Sequence, residues 1–99
     1  MSTQGETREK TKIDIREPKR YRVIMHNDDF TSMEFVVEIL IDIFRKEEAE
    51  AQRLMLMVHE SGKAAVGMYP YDIAVTKVRE ATTRAKENGF PFRMTVEEA

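Results

Sequence analysis

Tyr21-Arg22-Val23-Ile24-Met25-His26-Asn27-Asp28-Asp29-Phe30-Thr31-Ser32-Met33-Glu34-Phe35-Val36 is the stretch in which the fold declares itself. Tyr21 to His26 is rich in β-forming side chains and reads as a strand. Asn27-Asp28-Asp29 follows, and such short polar side chains bond their own backbone to make turns. A helix start comes next. Thr31 and Glu34 have the T-x-x-E spacing of a capping box, and Phe30 and Phe35 stand at N′ and N4 for a hydrophobic staple. Each device is worth on the order of 1 kcal/mol or less. The helix is expected to run to about Arg45. Glu34, Glu38 and Asp42 form its polar stripe, and the other positions are almost all apolar, which implies burial over a wide arc.

Upstream of this stretch, residues 1–17 are polar and charged, with Ile13 and Ile15 the exceptions. They carry too little apolar surface to offset ordering entropy, so residues 1–18 are expected to be a flexible extension, ending at Pro18, and 19–99 the single core domain. Downstream, Glu47 to Ser61 fits a second helix. Ala51, Leu54, Met55 and Val58 recur at helical spacing, and Gly62 is placed to end it. Ala64 to Tyr69 is a candidate strand. Tyr71 to Asn88 carries Ala74, Val75, Val78, Ala81 and Ala85 on one face and reads as a third helix. Asn88-Gly89 and then Pro91 stop it. Phe92 to Val96 is the last strand. The expected fold is α/β (α+β), a three-stranded sheet packed with three helices in the order β-α-α-β-α-β. The helix between the second and third strands is a candidate crossover, but the pattern does not fix the strand order.

Composition narrows the function classes. A chain of 99 residues has room for one domain. It has no cysteine, which removes disulfides, zinc–thiolate sites and thiol nucleophiles and is compatible with a reducing cytosol. The net charge is −2, and the one basic-looking stretch, Arg16 to Arg22, is short; a nucleic-acid binder usually shows a basic face. No apolar run opens the chain as in a signal peptide. The longest apolar segment, Phe35 to Phe44, is interrupted by Glu38 and Asp42 and is too short to cross a membrane.

Three separated blocks carry a resemblance. The strand followed by Asn27-Asp28-Asp29-Phe30-Thr31-Ser32-Met33-Glu34-Phe35-Val36 is similar to the signature of the ClpS adaptors. Leu54-Met-Leu-Met-Val-His-Glu-Ser-Gly-Lys-Ala64 resembles the family's Leu-Met-x-x-His-x-x-Gly-x-Ala block. Ile73-Ala-Val-Thr-Lys-Val78 and the Pro91-Phe92 turn also agree. The resemblance covers residue 19 to the end. It implies an antiparallel sheet with three helices, similar to the C-terminal domain of the ribosomal stalk protein. It also implies a cytoplasmic, non-enzymatic adaptor that recognises N-degron substrates beginning with Leu, Phe, Tyr or Trp and delivers them to a Clp AAA+ unfoldase-protease. The implied docking partner is the N-terminal domain of a ClpA-type unfoldase. A monomer without cofactor or metal is expected.

The matched residues suit that chemistry. A free α-amino group, with a reference pKa of about 7.7–8.0, is mostly an ammonium at neutral pH. It needs convergent acceptors, one of them negative. By resemblance these are Asn27, Asp29 and His59, with Asp28 adding negative potential. His59 accepts only through a neutral ring nitrogen, so binding is expected to weaken below about pH 6.5, the reference value for histidine. Chain interiors lack the ammonium and would leave these acceptors unpaired, at about 1–3 kcal/mol each when buried. The resemblance places Thr31, Met33, Val36, Met55, Val58 and Phe92 around the first side chain. Met33 matches the family's gatekeeper against β-branched residues, and methionine is adaptable enough to admit Leu and large rings. Lys77 and Asp72 match unfoldase-docking positions, Asp72 where Glu is common.

Two departures stand out. His26 replaces a residue that is usually aliphatic. Phe92 replaces a common Leu, and its larger ring is expected to narrow the pocket in favour of Leu over Trp. Without the resemblance the same residues read more plainly. Asn27 to Asp29 is then a turn and cap, His59 a helix-end residue, the Met and Val positions core, and Lys77 a solvated charge. Three rivals remain: an acid–base enzyme using His59 with Asp28 or Asp29, a metal site of His26, Asp28, Asp29 and His59, and an RNA-binding module. None has a supporting motif.

Overall fold

Alternation along the first strand sets the layers. In β1 (Tyr21–His26) Val23 and Met25 are fully buried, while Arg22 and His26 stay partly exposed on the opposite face. The computed structural model describes residues 19–99, so the expected flexible extension over 1–18 lies outside the described residues. After β1 come α1 (Met33–Asp42), α2 (Glu48–Ser61), β2 (Lys63–Tyr69), α3 (Tyr71–Glu87) and β3 (Arg93–Glu98). This is the expected order, and the sheet is antiparallel throughout.

The strand order left open by the sequence is β2-β1-β3. Both neighbours run antiparallel to β1, so α3 carries the chain from one sheet edge across to the other. Val23 and Met25 share one core with Ala64, Val66 and Met94 of the flanking strands and with buried residues of all three helices. The helices therefore cover one face of the sheet. The other face is open.

The ends of α1 differ from the sequence expectation. Ser32, not Thr31, is the N-cap, its hydroxyl accepting from the Phe35 N–H at 3.1 Å. Thr31 is taken by Asp28, which accepts from both its N–H and its hydroxyl. Phe30 is 76% exposed, so the staple with Phe35 does not form. At the other end the helix stops at Asp42 rather than Arg45. Arg45 sits at φ 57°, in the left-handed region, and the Lys46 N–H turns back to the Leu40 carbonyl at 3.0 Å.

The other boundaries follow the sequence closely. Ala51, Leu54, Met55 and Val58 are the buried face of α2, which ends at Gly62 with φ 91°, a conformation glycine adopts without a Cβ penalty. Ala74, Ala81 and Ala85 are the buried face of α3, with Val75 and Val78 half-buried beside them. Phe92 precedes β3 instead of opening it.

Candidate functional site

One backbone bond brings the distant parts of the site together. The Asn27 N–H donates to the Gly62 carbonyl at 2.9 Å, one step beyond the His26–Lys63 pair of the β1–β2 ladder. The Asn27–Asp29 turn is thereby held against the end of α2, where His59 occupies the last turn.

Asp28 shapes the turn. Its Oδ1 accepts from the Phe30 N–H at 2.8 Å and the Thr31 N–H at 2.7 Å, and its Oδ2 accepts from the Thr31 hydroxyl at 2.8 Å. Burial pushes this carboxyl upward, but the bonds from Thr31 and Phe30 outweigh it and hold Asp28 below the ordinary carboxylate range. Its oxygens are thus committed within the loop. Asn27, Asp29 and His59 are exposed instead.

A cavity of about 210 Å³ opens where this turn meets α1 and α2. Asn27, Asp28, Asp29 and His59 supply its polar side. Thr31, Met33, Val36, Met55 and Val58 supply the rest of its lining. Val36, Met55 and Val58 are buried, whereas Met33 is 44% exposed at the rim. Met55, Val58 and His59 share one helix face through their spacings of three and four. The arrangement sets polar acceptors beside a nonpolar hollow. A hollow of about 150 Å³ is enough to hold a benzene ring.

Phe92 is not brought to this cavity. It is 4% exposed in the core, and its ring meets Phe35 edge-on at a centroid distance of 6.0 Å. The expected narrowing of the pocket by direct contact is therefore replaced by support of α1 through Phe35, the neighbour of Val36.

The two docking candidates differ. Asp72 is exposed in the first turn of α3. Lys77 is half-buried, and its ammonium donates to the Ile43 carbonyl at 2.8 Å and lies over the Tyr69 and Phe44 rings at 5.5 and 5.8 Å. It is neither a solvated charge nor turned outward. It ties α3 to the C-cap of α1, an orientation nothing in the sequence signals.

The metal-site rival does not assemble. His26 Nε2 is 2.8 Å from the Thr95 hydroxyl on the open face of the sheet. Among the described residues no three His, Cys, Asp or Glu side chains are grouped to hold a metal ion. Likewise, no described helix is long and apolar enough to cross a membrane.

Against known proteins, residues 16–95 match the family described as ATP-dependent Clp protease adaptor protein ClpS. The chain belongs to the ClpS family. Among its relatives is the Treponema denticola ATP-dependent Clp protease adapter protein ClpS, 56% identical over 81 residues, covering 82% of this chain and 80% of that one. The Clostridium acetobutylicum protein of the same name is 49% identical over 89 residues, covering 90% and 88%. A solved structure, Agrobacterium tumefaciens ClpS2 bound to L-phenylalaninamide, is 43% identical with a TM-score of 0.81, covering 84% of this chain and 100% of that one. The three-block resemblance and the β-α-α-β-α-β fold thus stand together. The relatives are named as adaptors, not as enzymes.

Proposed function

We propose that this ClpS-family chain binds N-degron substrates by their free α-amino group and bulky apolar first residue, and hands them to a Clp AAA+ unfoldase-protease. The observation that carries the reading is the juxtaposition in one cavity of Asn27, Asp29 and His59 with Met33, Val36, Met55 and Val58. A terminal ammonium needs acceptors, and the side chain one bond away needs a nonpolar hollow. Asp29 supplies the charge, directly or through a water. Asn27 accepts through its amide oxygen and neutral His59 through a ring nitrogen. Asp28 adds negative potential while holding the turn. Support comes from a relative bound to L-phenylalaninamide, which has both a free amino group and an aromatic side chain.

Leu, Phe, Tyr and Trp are the proposed first residues. Thr31 and Met33 at the rim would crowd a side chain branched at Cβ. Unfoldase docking, by a ClpA-type N-terminal domain on a cytoplasmic monomer, is proposed to use the exposed Asp72. Lys77 would serve it by fixing α3 in place. The test is a titration with fluorescent peptides that begin with Leu, Ile or Ala. Leu should bind at least tenfold tighter than Ile or Ala, a difference of about 1.4 kcal/mol and within the range of pocket contacts. Asn27→Ala and His59→Ala should each weaken Leu binding. Equal affinity for Leu and Ala peptides would refute the pocket assignment.

A further inference from the structure

The open face of the sheet carries charge that the adaptor site does not use. Lys63, His26 and Arg93 stand directly opposite one another across β2, β1 and β3. Directly opposed residues of antiparallel strands point to the same face, and like charges placed so are destabilising. Lys63 and Arg93 are exposed, and among the described residues neither forms an ion pair. His26, half-buried between them, feels the row: burial, then Arg93 and Lys63, push its ring below the usual histidine value.

The next row sets Ala65, Ile24 and Thr95 side by side, two nonpolar side chains and one hydroxyl. Ile24 is 8% exposed yet stands apart from the core beneath the helices, with Ala65 opposite it on β2, and the half-exposed Met68 follows in the row beyond, opposite Arg22. Arg22 is already paired with Glu97 at 3.2 Å. The face therefore presents a small nonpolar patch of Ile24, Ala65 and Met68 beside a cationic row, on a chain whose net charge is −2.

We infer that this face is a docking surface for an acidic, extended segment of a partner protein. Adjacent strands are about 4.8 Å apart, so Lys63 and Arg93 rise from backbones about 10 Å apart. Alternate carboxylates of an extended chain share one face about 7 Å apart, a spacing that the long Lys63 and Arg93 side chains can lean in to meet. Binding them would relieve the mutual repulsion of the row. An acidic protein segment fits better than a nucleic acid. The described face carries no Phe, Tyr or Trp on which bases could stack, and Glu97 stands on it.

The probe is a short fluorescent peptide alternating Glu and Ser, acetylated at its N-terminus so that the amino-group site takes no part. The full chain should bind it, with affinity falling as salt rises. Backbone amide shifts should concentrate at His26, Lys63 and Arg93. Lys63→Gln with Arg93→Gln should weaken binding about tenfold, the loss of two exposed ion pairs, while Asn27→Ala leaves it unchanged. The inference is overturned if the peptide does not bind, if the double variant binds equally well, if the shifts map elsewhere, or if single-stranded RNA binds more tightly than the peptide.

Discussion

Replacing Asp28 with Ala tests how the turn is held. Three bonds of 2.7 to 2.8 Å are lost at once, two from backbone N–H groups and one from the Thr31 hydroxyl. Single hydrogen bonds contribute about 0.5–1.5 kcal/mol net, and capping carboxylates about 0.5–2 kcal/mol. Asp28 is partly exposed, so water recovers some of the loss, and a total of about 2 kcal/mol is expected. For a domain this small that lowers Tm by roughly 10 °C. Asp28→Asn keeps an oxygen for the two backbone donors and should lose about half as much.

The pH dependence carries a sign. The folded carboxyl is held below its ordinary value of 3.8, so its stabilisation is present in full above that value and is lost as pH falls through the lower folded one. Urea unfolding of wild type and Asp28→Ala should therefore differ by a constant amount from pH 8 to 5, and the gap should narrow as pH falls below 3.8. A gap under about 0.5 kcal/mol at pH 7 would refute the reasoning. So would one that is undiminished in acid.

Two further substitutions separate structural from functional roles. Lys77→Met removes the bond to the Ile43 carbonyl and the cation above two rings, and should cost about 1.5–3 kcal/mol in urea unfolding; unchanged stability with weakened unfoldase binding would instead make Lys77 a docking residue. Phe92→Leu should lower stability by about 1 kcal/mol through the lost edge contact with Phe35, yet leave the ranking of Leu, Phe and Trp peptides intact; a changed ranking would return Phe92 to the pocket.

The elements legible in the sequence were those with a single local cause. β1 alternates, α2 has one buried face and a glycine stop, and α3 has an alanine stripe. α1 starts one residue later than its capping-box pattern predicts because Asp28, Thr31 and Ser32 can all cap. Asp28 captures Thr31 and leaves Ser32 to bond Phe35. Strand order depends on pairs such as Met25 with Met94, far apart in the chain, and no local pattern carries that.

The site was legible only through resemblance. Read alone, Asn27 to Asp29 is a turn and His59 a helix end. The Asn27–Gly62 bond brings them together, and it joins backbone atoms that the side chains do not announce. Phe92 and Lys77 show a complementary gap. Residue type gave size and charge, but direction came from packing, inward for both. The basic row is invisible to any local pattern because its members come from three strands.

A free amino terminus is what the cavity is proposed to recognise. The most direct measurement compares one Leu-starting fluorescent peptide with its N-acetylated twin. Acetylation removes the ammonium and leaves the side chain unchanged. The free peptide should bind, and acetylation should weaken it at least tenfold, about 1.4 kcal/mol. Equal binding of the two would mean that Asn27, Asp29 and His59 do not grip an amino group.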